Sequence, residues 1–459
     1  MIRTLDLSRY LFPSLFSFWF MTVFAPGTAA GDPTPPDGPI VLTLEKAIAL
    51  ALEQNRDVMI AAQDRYKADA QENEALSGAL PQINISGNYT RNIKKPVLFI
   101  PPNSLINPSN SVQKFELGSD NAYTLGASLS QPLFSRKVGV ALDIAELYSE
   151  YADKALQATE QDVVRGVKKA FYGVLLAKKL VEANRQGFDV VKANFENVQA
   201  QYRHGTAAEF DLLRAEVQLA NTEPLLISAE NALVLASYAL KNILSIPLDQ
   251  DITLEGEFAF ESVPQAVLDD ARKTALATNP TIVGLSLQES LLEKNISIVK
   301  ATYFPSLNLT GSYQWQTQDN TLQFKNYNWA NSLNFGLQLS YTLFDGFATS
   351  ARAQQALVDK EKVHYTRLKA EEGLKIQLQS SELRMAEARK RIEAQERSLA
   401  QADKAVRIAQ TRYKSGVGTQ LELLDTQVAM TRVQTNYAQG IYDYLVAKAD
   451  WQYAIGQGR

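Results

Sequence analysis

Two stretches of this chain carry the same short signals in the same order, and this internal repeat limits the possible folds more than any other feature. The matching pairs of segments are 49–55 with 271–279, 80–89 with 304–313, 125–134 with 335–344, and 201–205 with 412–416. In the second pair, proline, asparagine, glycine and tyrosine recur in register. A length of 459 residues alone would suggest about three domains. The repeat instead predicts two similar halves, at residues 31–255 and 256–459.

Four segments alternate apolar and polar residues, which is the pattern of a β-strand with one apolar face. In the first segment, Ile83 and Ile85 alternate with Asn84 and Ser86. The predicted strands are about 82–91, 122–133, 306–316 and 333–343. At about ten residues each, they are long enough to cross a bilayer when tilted. Their polar faces are small and uncharged, which suits a water-filled lumen.

A transmembrane β-barrel and the half-buried sheet of a soluble protein both fit this alternation. Aromatic residues near the strand ends favour the barrel, because they are typical of the membrane interface. Four strands cannot close around a pore, since membrane barrels have at least about eight. Several copies of the chain would therefore share one barrel. The loop from Asn92 to Asn121 is long and that from Gln316 to Ser332 is shorter, as expected for extracellular loops.

Each half continues from its strands into a helix of unusual length. No proline occurs between residues 138 and 202 or between 348 and 414, and apolar residues recur at alternating spacings of four and three, as in coiled coils. Each long helix stops at a glycine, Gly205 or Gly416, which is a good helix terminator. The predicted long helices are 137–203 and 348–414, and the predicted return helices are 209–245 and 420–455.

Each half is therefore predicted to contain an antiparallel coiled-coil hairpin. The alternative is an ordinary soluble helical bundle. That alternative does not explain why a pair of strands precedes each long helix.

The first residues have the pattern of a secretory signal peptide. Arg3 and Arg9 precede a short apolar run over residues 10–24, and the small residues at 28–30 are typical of a cleavage site. The predicted signal peptide is residues 1–30. A membrane anchor is the alternative, but the run is short for a bilayer span of about 20 residues.

The composition argues against most chemistry. The chain has no cysteine, which excludes disulfides, thiolate metal sites and cysteine nucleophiles, and it has only two histidines. A net charge of −4 gives no basic surplus for a nucleic-acid partner. We find no phosphate-binding glycine loop, paired-histidine zinc motif or nucleophile–base set. We therefore predict no cofactor, no metal and no enzymatic activity.

Taken together, these features resemble the TolC family of outer-membrane factors, from Leu42 to Gly456. The most specific parts are the two strand starts at 80–89 and 304–313, the motif at 131–134, the motif at 343–346, and the tip at 413–425. No single part is decisive, but the ordered and repeated set is specific.

The resemblance implies a mixed α+β membrane protein in the outer membrane, with a helical tunnel projecting into the periplasm. It implies a homotrimer whose three chains form a barrel of 12 strands, in contact with outer-membrane lipid, and a coiled-coil tunnel of 12 helices. Such a channel is the passive exit duct of a tripartite efflux or type I secretion system. A periplasmic adaptor couples it to an inner-membrane transporter of the RND, ABC or MFS type. The alternative function is a periplasmic coiled-coil adaptor or scaffold.

The resemblance also implies a gate at the periplasmic end. By position, the gate residues are Asp211, Tyr413, Glu422 and Asp425. The adaptor-contacting tips would include Gly205, Thr206, Gly416 and Val417. The chain departs from the family at Gly418, where relatives carry an arginine that joins the closing network. The exported cargo is not readable from the sequence.

Overall fold

The computed structural model describes residues 40–323 and 327–457, so the predicted signal peptide, residues 1–30, lies outside the described residues. The helices are α1 (Leu44–Gln54), α2 (Arg56–Ser77), α3 (Arg136–Arg203), α4 (Glu209–Ile243), α5 (Gln265–Thr278), α6 (Pro280–Lys300), α7 (Ala348–Lys414) and α8 (Gln420–Ala454). The strands are β1 (Ile40–Leu42), β2 (Gln82–Arg91), β3 (Val97–Ile100), β4 (Gln113–Glu116), β5 (Asn121–Ser135), β6 (Ile252–Leu254), β7 (Ser306–Asp319) and β8 (Ala330–Ser340). None of the described helices combines the length and the apolar character that a membrane span requires.

The main sheet is antiparallel and has the strand order β2, β5, β7, β8. Its register keeps the alternation aligned, because Ile85 pairs with Ala127, Ala127 with Tyr313, and Tyr313 with Leu333. The apolar side chains of the four strands therefore share one face. This face is open, with Ile85 85% exposed. In the part of the chain that the structure describes, β2 and β8 each have a neighbour on one side only, so the sheet ends in two unpaired edges.

Two details of the sheet differ from the sequence prediction. The fourth strand was predicted at about 333–343, but it ends at Ser340. Its partner β7 begins at Ser306, which pairs with Ser340, so no strand among the described residues lies beside residues 341–343 despite their alternation. The predicted loop between the first two strands also contains a short hairpin, β3–β4, in which Val97 pairs with Glu116.

The helices stack in the same lateral order as the strands. α3 packs against α2 and α6, and α6 packs against α7, which gives the order α2, α3, α6, α7. β2 follows α2, α3 follows β5, β7 follows α6, and α7 follows β8, so each strand adjoins the helix at its own place in the order. Further from the sheet, α3 packs against α4 and α8, and α8 against α7. The order there is α4, α3, α8, α7.

A buried asparagine joins the end of α4 to the start of α2. The Asn55 side chain accepts hydrogen bonds from the backbone N–H groups of Asp57 (2.8 Å) and Val58 (3.3 Å), which caps α2. Its Nδ2 donates to the carbonyl of Ile243 at the end of α4 (2.8 Å). One side chain therefore satisfies groups of two helices that meet end to end.

The second half has an equivalent joint between α8 and α6. Asn279 caps α6 by accepting from Thr281 N (3.0 Å) and Ile282 N (3.3 Å), and its Nδ2 donates to the carbonyl of Ala454 (3.1 Å). Thr278 adds a hydrogen bond from its hydroxyl to the carbonyl of Ile455 (2.8 Å). α2 therefore lies end to end with α4, and α6 lies end to end with α8. As a result, four helices lie side by side both above and below the two joints.

Two apolar cores surround these joints. The first contains buried side chains of β1, α1, α3 and α4: Leu42, Ala47, Ala51, Val167, Phe171 and Leu240. The second contains buried side chains of α6, α7, α8 and the turn after α8: Ile282, Leu378, Met385, Trp451 and Ile455. Phe258, in the linker after β6, packs against both cores. β1 and β6 pair in parallel, which holds the start of the described chain beside this linker.

The predicted heptad positions lie in helix interfaces. Buried members of the pattern on α3 are Val163, Val167, Val174, Val191 and Val198, and those on α7 are Leu374, Leu378, Met385, Ala388 and Ile392. The close approach of the helices also uses glycine. A Cβ on Gly187 of α3 would lie 3.1 Å from the Thr431 hydroxyl oxygen of α8.

We expect alanine at Gly456 to destabilise the protein more than alanine at Gly205. Both glycines have a φ of +74°, a backbone conformation that costs other residues about 1 kcal/mol. A Cβ at Gly456 would also lie 2.7 Å from the Thr278 carbonyl oxygen, whereas a Cβ at Gly205 meets nothing within 4 Å. Gly205→Ala should therefore cost about 1 kcal/mol and Gly456→Ala roughly 3 kcal/mol.

Thermal denaturation of the purified variants in detergent, followed by circular dichroism, measures this difference. Equal shifts in melting temperature for the two variants would show that the α8–α6 joint tolerates an added methyl group.

Candidate functional site: the helical tips

The two long helices end in similar glycine turns. At the end of α3, Gly205 N donates to Tyr202 O (2.9 Å) and Thr206 N to Gln201 O (2.9 Å). At the end of α7, Gly416 N donates to Tyr413 O (3.1 Å), and Val417 N donates to Arg412 O (3.1 Å). This hydrogen-bond pattern, with a glycine at positive φ, satisfies the last carbonyls of a helix and reverses the chain.

The predicted tip residues lie at the solvent-exposed ends of these turns. Gly205, Thr206, Gly416 and Val417 are all exposed, and Val417 is 71% exposed. An exposed branched apolar side chain at the end of a helical hairpin is available for contact with another molecule.

The two return helices begin differently. The Thr419 hydroxyl caps α8 by accepting from Glu422 N (3.2 Å). Ala208, which precedes α4, provides no side-chain cap. The first turn of α4 instead carries Glu209 and Asp211, whose negative charges are favoured near a helix N-terminus.

The turn after α7 leaves little room for a side chain at Gly418. The Gly418 N–H donates to the Arg412 carbonyl (3.0 Å), which brings this residue close to the last turn of the helix. A Cβ here would lie 2.9 Å from Arg412 Cβ and 3.0 Å from Tyr413 N. An arginine at this position, as expected from the family pattern, would therefore require the turn to shift.

An arginine in the last turn of α7 pairs with one of the predicted gate acids. Arg412 Nε lies 3.5 Å from Glu422 Oε2, and both side chains are about half exposed. Such an exposed pair stabilises the hairpin by only about 1 kcal/mol or less, because solvent screens it. Asp425, one turn further along α8, is exposed and has no ion pair with any residue in the described ranges. The predicted gate residues Glu422 and Asp425 therefore have different surroundings.

Tyr413 connects the two hairpins. Burial raises the pKa of its phenol, a hydrogen bond with the Asn197 side chain lowers it, and the nearby negative charge of Asp211 raises it. Asn197 lies on α3 and Asp211 on α4, so a residue of the second hairpin contacts the first. The family resemblance predicts Tyr413 and Asp211 as gate residues, whereas the structure adds Asn197 and Arg412. Asn197 gives no sequence signal, since it is one of many polar residues on a long helix.

The seam between α3 and α8 is polar near the tips. Gln434 Nε2 donates to Gln186 Oε1 (3.3 Å) across this seam. About two helical turns nearer the tips, the buried side chains of Asn194 on α3 and Gln427 on α8 have polar atoms without a hydrogen-bond partner. Each unsatisfied buried polar group costs about 1–3 kcal/mol. Packing is therefore less favourable here than at the apolar heptad positions.

Among the described residues, no group of three or more histidine, cysteine, aspartate or glutamate side chains has the geometry of a metal site. The site thus consists of helix ends, hydrogen bonds and a few carboxylates.

The comparison with protein families agrees with this architecture. The model of the family described as "Outer membrane efflux protein" matches residues 47–245 and 271–457. This chain belongs to the outer membrane efflux protein family. The two matched ranges cover both hairpins, both joints and all four strands of the main sheet. The expected resemblance to TolC proteins and the outer-membrane location are confirmed.

Individual relatives are distant but match over nearly the whole chain. The outer membrane protein TolC of Vibrio cholerae is 23% identical over 415 residues, which are 88% of this chain and 89% of that protein. The alkaline protease secretion protein AprF of Pseudomonas aeruginosa is 24% identical, with 91% and 86% coverage. The crystal structure of the Campylobacter jejuni CmeC outer membrane channel superposes with a TM-score of 0.74 at 17% identity, with 90% and 86% coverage.

We expect any side chain at position 418 to loosen the α7–α8 turn of this family member. Gly418→Ala and Gly418→Arg both add a Cβ against the backbone of Arg412 and Tyr413. Overpacking of about 1–3 kcal/mol should raise the open population of the turn about tenfold. Limited trypsin cleavage after Arg412 and Lys414 should accelerate to a similar extent, since cleavage follows the open population.

Val417→Ala is the control, because the Val417 side chain is 71% exposed and its truncation removes little packing. An unchanged cleavage rate in Gly418→Ala would contradict the steric argument.

Proposed function

We propose that the protein is the trimeric exit duct of a tripartite efflux or secretion system. In this proposal three chains close one 12-stranded barrel in the outer membrane and one 12-helix tunnel in the periplasm, and each half of the repeat supplies an equivalent part of the wall. The observation that supports the proposal most is that the main sheet and the helical layer each have two free edges. The free edges of the sheet, β2 and β8, lie on the same sides of the molecule as those of the helical layer, α4 and α7. The duct is passive and acts through its shape, without a cofactor or catalytic residue.

The sheet supports closure with further copies. β2 and β8 are its unpaired edges and run antiparallel, so β8 of one chain can pair with β2 of the next without breaking the antiparallel order. Unpaired edges of this length attract other strands. The open apolar face, which includes Ile85, Leu337 and Leu339, would face lipid.

The helical layer has equivalent edges, formed by α4 and α7. The free side of α4 exposes apolar side chains at coiled-coil spacing: Phe210, Leu213, Val217, Ile227, Val234 and Tyr238. α7 also exposes apolar side chains, at Val358, Tyr365, Ile376 and Leu383. α4 carries five acidic and two basic residues, whereas α7 carries nine acidic and fifteen basic residues. The two edges are therefore complementary in charge as well as in apolar character.

The tips are the proposed contact with a periplasmic adaptor, which would couple the duct to an inner-membrane transporter of the RND, ABC or MFS type. The exposed ends at Gly205, Thr206, Gly416 and Val417 lie farthest along the chain path from the sheet. An adaptor or scaffold function for this chain itself is the weaker alternative. An adaptor function does not explain why the four-stranded sheet has an open apolar face.

The gate is proposed at the same end. Tyr413 and Asp211 would hold the two hairpins together with the help of Asn197, in place of an arginine at position 418. Glu422 and Asp425 would place acidic groups at the constriction, with Glu422 partly neutralised by Arg412. Opening would separate the hairpins along the polar seam that contains Asn194 and Gln427.

We expect the purified protein to form channels in planar bilayers, with a low conductance that rises in Tyr413→Phe and Asp211→Ala. Each change removes a group from the contact between the hairpins, so each should increase the leak conductance several-fold. Tyr66→Phe is the matched control, since Tyr66 is an exposed tyrosine of α2 and far along the chain path from the tips.

Fractionation of cells provides the baseline for this test. A trimer in the outer-membrane fraction supports the duct, whereas a soluble periplasmic monomer without channel activity rules it out. Channels with unchanged conductance in both gate variants would contradict the proposed gate but leave the duct intact.

A further inference from the structure

The polar face of the main sheet carries no charge at any of its positions. This face consists of the even-numbered residues of the four strands, except Phe134, which follows a bulge in β5 and pairs with Leu307: Gln82, Asn84, Ser86, Asn88, Thr90, Ala122, Thr124, Gly126, Ser128, Ser130, Pro132, Ser306, Asn308, Thr310, Ser312, Gln314, Gln316, Gln318, Ala330, Ser332, Asn334, Gly336, Gln338 and Ser340. Most are amide or hydroxyl side chains, and the rest are glycine, alanine or proline. A chain with 21% charged residues thus excludes charge from one whole surface.

The strand register makes this surface continuous. Asn84 pairs with Ser128, Ser128 with Ser312, and Ser312 with Asn334, so one uncharged row crosses all four strands. The other rows of the face also pair even-numbered residues with even-numbered residues, up to the bulge of β5 between Pro132 and Phe134. Closure of three such sheets would repeat each row three times around the lumen.

The charged residues of these strands lie elsewhere. Arg91 and Asp319 occur at the outer ends of β2 and β7, on odd-numbered positions of the opposite face. The Arg91 guanidinium donates to Asn121 Oδ1 (3.0 Å). In the loops just beyond, Lys95 pairs with Asp120 (3.1 Å). Lys95 and Asp120 therefore neutralise each other close to this end of the sheet.

Amide and hydroxyl groups can form hydrogen bonds with both anions and cations. Asparagine, glutamine, serine and threonine side chains both donate and accept hydrogen bonds, so they can solvate a carboxylate or an ammonium group. A fixed carboxylate or ammonium in the wall would instead attract one sign and repel the other. A wall of this composition therefore discriminates by size and hydration.

We propose that the barrel section has no charge filter, so that anionic and cationic cargo pass through it equally well. This inference rests on the proposed duct, in which the polar face lines the lumen. Discrimination by charge is confined to sections outside the barrel, including the tips with Asp211, Glu422 and Asp425.

The test measures the electrostatic potential at the lumen wall. The chain has no cysteine, so Ser312→Cys introduces a single thiol in the middle of the polar face. The outer-membrane protein is treated from the outside, at low salt to limit screening, with a cationic (trimethylammonium) and an anionic (sulfonate) methanethiosulfonate. Each rate is divided by the rate of the same reagent with a small free thiol.

We expect the two normalised rates to agree within about twofold. A unit charge about 4 Å away changes each rate about fivefold, in opposite directions for the two reagents. A cationic-to-anionic ratio above about fivefold or below about one fifth would overturn the proposal.

A second variant demonstrates the sensitivity of the measurement. Ser128 is the cross-strand neighbour of Ser312, so Ser128→Asp combined with Ser312→Cys places a carboxylate about 5 Å away. Its rate ratio should shift at least fivefold towards the cationic reagent. Without that shift, position 312 does not sense wall charge, and the claim that fixed charge would filter cargo here is wrong.

Leu337→Cys, on the apolar face, separates this inference from the proposed duct. It should react with neither reagent in the membrane. Rapid reaction of Leu337→Cys without reaction of Ser312→Cys would mean that the polar face does not line an aqueous pore, and the duct itself would be wrong.

Discussion

Two buried asparagine side chains allow this chain to form one continuous wall. Asn55 and Asn279 each satisfy two N–H groups at the start of one helix and a carbonyl at the end of another. Without them, helix ends would meet inside apolar cores with unsatisfied backbone groups, each of which costs about 1–3 kcal/mol. Because the ends are satisfied, α4 can abut α2 and α8 can abut α6. Four helices can then run side by side along the length of α3 and α7.

The joints explain why the strand order and the helix order agree. α3 and α7 are continuous from the sheet to the tips, while α2 with α4, and α6 with α8, form their shorter neighbours. Each long helix, and each pair of helices that meet end to end, adjoins one strand of the main sheet. The two free edges of the sheet, β2 and β8, therefore lie above the two free edges of the helical layer, α4 and α7. An arrangement of chains that pairs the free strand edges therefore also brings the free helix edges together.

The regular parts of the fold were predictable because they repeat. Alternation in the strands and the heptad pattern in α3 and α7 each involve many residues, so the pattern survives local exceptions. The end of the fourth strand at Ser340 was missed because it depends on where β7 begins, and the alternation itself continues to residue 343. The β3–β4 hairpin was missed because proline and polar residues obscure two strands of four residues each.

The tips were predictable in outline only. The family resemblance, and no pattern in the residues themselves, indicates Asp211, Tyr413, Glu422 and Asp425 as gate positions. The pairing of Arg412 with Glu422 and the contact of Tyr413 with Asn197 depend on the side-chain geometry of two hairpins, which no spacing in the sequence reveals. Gly418 is an informative exception, since the tight turn around Arg412 gives a physical reason for the missing side chain.

Disulfide trapping between the free strand edges measures directly whether three chains share one barrel. Asn84→Cys in β2 is combined with a cysteine at each even-numbered position of β8 in turn, from Ser332 to Ser340, in the otherwise cysteine-free chain. If the free edges meet, one or two of these pairs should crosslink in the outer membrane, because only neighbouring strands bring Cβ atoms within about 4.5 Å. The fully oxidised product should be a closed ring of three chains. Chains linked beyond three, or no crosslink at any position of β8, would contradict a barrel shared by three chains.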